Sequence, residues 1–205
     1  MRFHHSILRA GVLAAVGIAV AMLPGTARAD TDGGYSCSVL GTAIPSVTAK
    51  SLHVDYMGVR YYMCCGGCPS QFSANPTKYI KAAAKTRNVI GASLFDPVTT
   101  ARVLPDKAVA HADYGNVRYF FASKDDLATF NKDPKKYTVT PKSEVLYCAV
   151  MNQKIASSDK ASNYSDLKGV RYYFCCTSCK APFDKNPSQY TDGLDARIKA
   201  ATPSK

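Results

Sequence analysis

Eight cysteines fall into two matched sets, Cys37, Cys64, Cys65, Cys68 and Cys148, Cys175, Cys176, Cys179. Every member of the second set lies 111 positions after its counterpart in the first. Each set holds one lone cysteine, then an adjacent pair, then a fourth three residues on. Sulfur at this spacing supports three chemistries. Three or four thiolates can grip a soft ion such as Zn(II) or Cu(I). An even cysteine count can form a disulfide framework. A Cys-x2-Cys pair can exchange thiol for disulfide. Metal binding is the preferred reading. Adjacent cysteines pair with each other only under strain, and no βαβ pattern surrounds Cys65-Gly66-Gly67-Cys68.

The elements that must position these sulfurs are legible around them. Tyr61-Tyr62-Met63 and Tyr172-Tyr173-Phe174 run directly into the adjacent pairs, after Gly58 and Gly169. Aromatic and β-branched residues flanking a glycine turn predict a β-hairpin whose second strand ends at Cys64 or Cys175. Cys65, Cys68 and Phe72 are three and four apart, which predicts one face of a helix. The unpaired amides and dipole at that helix start favour thiolate over thiol. Asn75-Pro76 and Asn186-Pro187 read as the cap and first position of a second helix. Cys37 is expected in a turn after a first short strand.

Repeats extend beyond the cysteine sets. Val59-Arg60-Tyr61-Tyr62 returns as Val117-Arg118-Tyr119-Phe120, 58 positions on, with Phe130, Pro134 and Tyr137 at the same offset. A further 53 positions bring Val170-Arg171-Tyr172-Tyr173, Phe183, Pro187 and Tyr190. At the places of Cys37, Cys64, Cys65 and Cys68 this alignment gives the middle repeat Phe95, Ala122, Ser123 and Asp126. The four thiols are absent together, so they form one functional set, and the skeleton of a repeat survives without them.

Residues 1–29 read as a secretory signal peptide. Arg2, His4, His5 and Arg9 precede an apolar run of 14 residues from Ala10 to Leu23, and Ala27-Arg28-Ala29 is a small-x-small cleavage signature. The run is too short to span a bilayer. The expected location is periplasmic or secreted, with no stable membrane span after cleavage. Loss of Arg2, Arg9 and Arg28 takes the formal charge from +11 to +8. In an exported protein that balance serves solubility, and nucleic acid is not an expected partner. No Ser-His-Asp set and no phosphate-binding glycine loop is present, so no catalytic role is assigned.

The tyrosine run into cysteine, with the following Phe, Asn-Pro and Tyr, resembles the YHS domain and the related TRASH domain. The resemblance covers 35–79, 94–137 and 147–190. It implies small treble-clef-like α+β modules linked to heavy-metal sensing, trafficking and resistance, often near copper transporters. Members of the family carry a second cysteine in the first turn, where this chain has Leu40 and Met151. Either Cys64 and Cys175 take that place, or the site is three-coordinate, which leans towards Cu(I). Met151 offers a thioether, although burial in the core is the preferred reading. His53 and His111 align with each other but with Tyr164 in the third repeat, so they read as ordinary strand residues.

The resulting expectation is an α+β chain of three tandem treble-clef-like units, each a strand, a β-hairpin and two short helices. Its segments are the leader at 1–29, units at 30–86, 87–139 and 140–194, and a flexible tail at 195–205. All eight cysteines are candidate ligands, for about two Cu(I) or Zn(II) ions per chain. A metal transporter or another metallochaperone is the expected partner. The alternative is a disulfide-stapled interaction module of the cell envelope.

Overall fold

A computed structural model describes residues 34–201. The expected leader, 1–29, and the last residues of the expected tail, 202–205, lie outside the described residues. The first segment runs β1 (Tyr35–Ser36), β2 (Ala43–Ile44), β3 (His53–Tyr56), β4 (Val59–Tyr62), α1 (Cys68–Ala74) and α2 (Pro76–Ala83). Strand β5 (Gly91–Ser93) leads to β6 (Ala110–Tyr114), β7 (Val117–Phe121), α3 (Lys124–Lys132) and α4 (Pro134–Tyr137). The third segment comprises β8 (Ser143–Val145), β9 (Tyr147–Cys148), β10 (Gln153–Lys154), β11 (Asn163–Leu167) and β12 (Val170–Phe174). It closes with α5 (Lys180–Lys185), α6 (Pro187–Thr191) and α7 (Leu194–Ala200). A hairpin followed by two short helices thus occurs three times.

Each hairpin is pinned by a two-residue turn in which both residues have positive φ: Met57-Gly58, Gly115-Asn116 and Lys168-Gly169. This backbone matches the twist of the flanking strands. Gly58 has a second reason to lack a side chain, since a Cβ there would lie 2.8 Å from the Arg171 guanidinium. The capping expectation holds for two of the helices that follow and fails for α6, where Asn186 stands at the N-cap but its side chain makes no bond to the helix amides. The Asn75 side chain accepts from the Lys78 amide at 3.1 Å, and Asp133 accepts from Lys136 at 3.3 Å.

The α+β class stands, but three separate treble-clef-like units are not what the chain forms. Strands from the first two segments build one five-stranded mixed sheet in the order β3-β4-β5-β7-β6. Its central strand, β5, comes from the start of the expected second unit, 87–139. It pairs antiparallel to β4 and parallel to β7. At the start of the expected third unit, 140–194, β8 pairs parallel to β12. The physical reason is the small size of each segment. A hairpin alone leaves a strand edge open and buries little apolar area. One shared strand closes two such edges.

The third segment docks through side chains and backbone. Ala101 bridges Asn163, and the Arg102 amide donates to the Ser162 carbonyl at 2.8 Å. Phe95 is fully buried against Tyr164 and Tyr173, at 5.2 and 5.8 Å between ring centroids. Arg171, paired with Asp166, donates to the Met57 carbonyl at 2.8 Å across 114 residues of sequence.

The core beneath each cysteine position is a three-ring stack. Phe72 lies 4.8 Å from Tyr61 and 6.1 Å from Tyr79. Phe130 repeats this with Tyr119 and Tyr137 at 5.4 and 6.3 Å. Phe183 repeats it with Tyr172 and Tyr190 at 5.1 and 6.2 Å. All three phenylalanines are fully buried. The stack without cysteines has the same form as the other two.

Candidate metal centres

Three chain segments converge at each cluster. Cys37 follows β1, Cys64 follows the end of β4, and Cys68 is the first residue of α1. The sulfurs of Cys37, Cys64 and Cys68 all lie within 4.8 Å of one another, and so do those of Cys148, Cys175 and Cys179. Cys37 and Cys68 approach to 3.7 Å between sulfurs. Ligands at a Zn–S distance of ~2.3 Å around one ion are themselves separated by roughly 4 Å. The donor set and its spacing therefore fit a thiophilic ion. All eight cysteines are free thiols.

Burial grades each cluster from inside to outside. Cys37 and Cys68 are buried beside Met63 and Phe72, while Cys64 is exposed. In the third segment Cys148 and Cys179 are buried and Cys175 is half-buried. Each site therefore has two sulfurs set into the core and one at the rim, a geometry that admits an ion or a second protein's thiolate from one side.

Cys65 and Cys176 stand apart from these triads. Their sulfurs lie 3.1 and 3.0 Å from Cys68 and Cys179. The expected shared helix face begins one turn late, since α1 starts at Cys68 and the Cys65 carbonyl only accepts the Cys68 amide at 3.1 Å. In the third segment a short 3₁₀ turn, Thr177–Cys179, precedes α5. Two glycines after Cys65 and Thr177-Ser178 after Cys176 leave that turn outside the regular helix.

The backbone around the inner cysteine is an anion cradle. Burial pushes the Cys37 thiol up, but amides of Leu40, Val39 and Cys64 donate to its sulfur and bring it below its ordinary value. Leu40 is at 3.5 Å. Cys148 behaves alike, with Cys175 and Met151 as donors against the cost of burial. The remaining thiols of each triad hold their protons. Contact with Cys65, then burial, pushes Cys68 up to about 12. Contact with Cys37 raises Cys64. Burial, then Cys148, lifts Cys175 to about 11, and burial, then Cys176, raises Cys179. The outlying cysteines go the other way. Cys68 and the Gly67 amide lower Cys65, and Cys179 with Ser178 brings Cys176 to about 7. Filling a triad with metal must therefore displace protons.

The middle segment shows the cradle with another occupant. The alignment put Phe95 at the place of Cys37, yet Phe95 packs into the core of the third segment. Its neighbour Asp96 occupies the position. The Cys37 carbonyl accepts from Gly41 four residues on, and the Asp96 carbonyl from Thr100, both at 2.8 Å. Residues at that fourth place, Gly41, Thr100 and Asn152, all have positive φ. The Asp96 carboxylate is fully buried and accepts from the amides of Val98, Thr99 and Ala122. These match the donors on Cys37, with Ala122 in the place of Cys64. The sequence signal was present: an aspartate whose side chain can bond amides two and three residues on, in Asp96-Pro97-Val98-Thr99. At the helix start Ser123 caps Asp126 where the other segments carry cysteines.

The other candidates fall away from the clusters. The His53 ring bonds the Ser51 carbonyl at 2.7 Å, and His111 packs near Phe120. Met151 is 58% exposed, so the expected core burial is wrong. Its backbone amide bonds Cys148 while its side chain faces solvent, because the positive-φ turn at Asn152 carries this residue outward. No helix among the described residues is long and apolar enough to cross a membrane. Comparison with family models, curated proteins and solved structures finds no match.

Proposed function

We propose that this chain is an exported, non-enzymatic carrier or buffer of a soft metal ion, with two independent three-thiolate sites. Cys37, Cys64 and Cys68 form one, and Cys148, Cys175 and Cys179 the other. The observation that carries the reading is the pair of matched sulfur triads, each within 4.8 Å, around an inner cysteine held in a cradle of amides. Two buried sulfurs and one at the rim suit an ion that must be taken up and passed on. Three thiolates with no fourth protein ligand among the grouped residues favour Cu(I), which accepts three sulfurs, over Zn(II), which in structural sites takes four. The leader-like residues 1–29 and the resemblance to YHS and TRASH domains support an envelope role in metal trafficking or resistance. A metal transporter or another metallochaperone is the partner such a role calls for.

Metal analysis combined with thiol counting tests this. Anaerobically loaded protein should carry two Cu(I) per chain, with X-ray absorption showing three sulfurs around each. Cys68→Ser should remove one equivalent and leave the third segment loaded. Cys179→Ser should do the reverse. Protein that takes up no metal while lacking titratable thiols would replace this reading with a disulfide-stapled interaction module. Loss of both equivalents from either single variant would end the independence of the sites.

A further inference from the structure

One cysteine in each set is left unused by the metal triads. Cys65 is exposed, and its sulfur lies 3.1 Å from that of Cys68. Cys176 repeats the arrangement at 3.0 Å from Cys179. These contacts are shorter than the 3.7 Å between Cys37 and Cys68. Both outlying cysteines sit on the turn just ahead of the helical residue they approach, and the intervening residues, Gly66-Gly67 and Thr177-Ser178, are exposed. The same placement in two segments that differ in those intervening residues argues for a purpose beyond filling space. The middle segment, which has no triad, has no such pair either: Ser123 and Asp126 stand there as a helix cap.

We propose that Cys65–Cys68 and Cys176–Cys179 are redox-active dithiols that undergo thiol–disulfide exchange, each sharing one sulfur with a metal triad. The outer member, exposed Cys65 or half-buried Cys176, is the entry thiol, and the buried member, Cys68 or Cys179, resolves. The oxidant is a small disulfide of the glutathione type. The Cys65 thiolate attacks one sulfur of that disulfide, whose S–S bond breaks and releases one small thiol, while a mixed disulfide forms on Cys65. Cys68 then attacks the Cys65 sulfur, its proton passing to the departing small thiolate, and the second small thiol leaves. The protein dithiol loses two electrons and the small disulfide gains them as two thiols.

The shared sulfur makes the two chemistries exclusive. A Cys65–Cys68 disulfide withdraws Cys68 from its triad and leaves only Cys37 and Cys64 for the ion. Bound metal in turn occupies Cys68 and blocks closure. Oxidation therefore releases metal and metal protects the thiols, each effect the reciprocal of the other.

Disulfide mapping of metal-free protein tests the pairing without any variant. The reduced protein is exposed to glutathione disulfide, quenched in acid, alkylated, digested and analysed by mass spectrometry. The expected links are Cys65–Cys68 and Cys176–Cys179, with Cys37, Cys64, Cys148 and Cys175 alkylated. Links joining Cys37 to Cys68 or Cys64 to Cys65, or eight alkylated thiols after treatment that fully oxidises dithiothreitol, would overturn the proposal. Cys65→Ser, a change on an exposed turn, should abolish the first link and leave the second. The outcome is separable from the carrier reading. Protein that forms both links yet binds no Cu(I) refutes the carrier and keeps the dithiols, and protein that binds two Cu(I) but forms neither link does the opposite.

Discussion

Replacing Asp96 by alanine tests whether the first-turn position is built to hold an anion. The carboxylate accepts the Val98, Thr99 and Ala122 amides at 2.9, 3.3 and 2.9 Å. A net intramolecular hydrogen bond contributes about 1 kcal/mol, so three contribute ~3 kcal/mol. Burial of the carboxylate, which raises its pKa against these three donors, offsets part of this. Water can also reach the freed amides, because Thr99 and Ala122 are exposed. The expected loss is about 2 kcal/mol, which for a chain of this size lowers the melting midpoint by roughly 4–8 °C. Urea denaturation followed by circular dichroism supplies the free energy, and thermal melts supply the midpoint. Asp96→Cys should recover part of the loss, since sulfur accepts the same amides at Cys37. The new thiol should titrate below the ordinary value of 9.0. A loss under about 0.5 kcal/mol for Asp96→Ala, the level of an unremarkable surface change, would refute the cradle. So would an introduced thiol at this position that titrates above the ordinary value.

The third segment's attachment predicts unequal costs for two similar ion pairs. Arg171→Ala should cost about 3 kcal/mol, because the guanidinium also bonds the Met57 carbonyl and lies 3.8 Å over Tyr164. Arg60→Ala should cost ~1 kcal/mol, because its guanidinium is more exposed and its contact with the third segment, to Asp159, is a longer 3.5 Å. Equal losses by urea denaturation would contradict the docking role. Cys176 in metal-free protein should react with iodoacetamide with a midpoint near pH 7, and Ser178→Ala should shift that midpoint upward. A midpoint near 9 for unmodified protein would contradict the hydrogen bonds from Cys179 and Ser178. Met151→Ala should change stability by less than about 0.5 kcal/mol, where a buried methionine would cost ~2–5 kcal/mol. Removal of metal with a chelator should leave the far-ultraviolet circular dichroism unchanged, and its collapse would show that the sulfurs hold the fold.

What could be read from the sequence was what is local. The hairpin turns announced themselves through Gly58 and Gly169, and the second helices through Asn75-Pro76 and Asn186-Pro187. The grouping of Cys37, Cys64, Cys65 and Cys68 followed from repetition, since the middle segment lost all four together, but repetition did not separate Cys65 from the triad. Pairing between distant strands was not legible. Gly91-Ala92-Ser93 has no β-branched residue and no alternation, and it becomes a central strand only because two hairpins present edges to it. The Phe95 assignment failed for a related reason. A constant offset of 58 fits the hairpin and helices, but the preceding turn has slipped by one residue, and only backbone hydrogen bonds reveal that Asp96 is the counterpart. Cys65 was placed on the helix by spacing alone, which cannot tell the last residue of a turn from the first of a helix.

The Asp96 substitution also bears on how chemistry and stability are divided in this fold. A small metal module commonly depends on its ion for its core. Here the middle segment keeps the hairpin, the buried Phe130, the two tyrosines packed on it and the first-turn geometry with no sulfur at all. In the cradle itself the acceptor changes, from a cysteine sulfur in the first and third segments to the Asp96 carboxylate in the middle one. The amides are set by backbone turns at Gly41, Thr100 and Asn152, so they exist before any ion arrives. The amides of such a cradle favour the charged form of its inner ligand without demanding the metal as a staple. An ion bound this way can leave without unfolding the chain, and reversible loading of that kind is what a carrier requires and a zinc-stapled module does not permit.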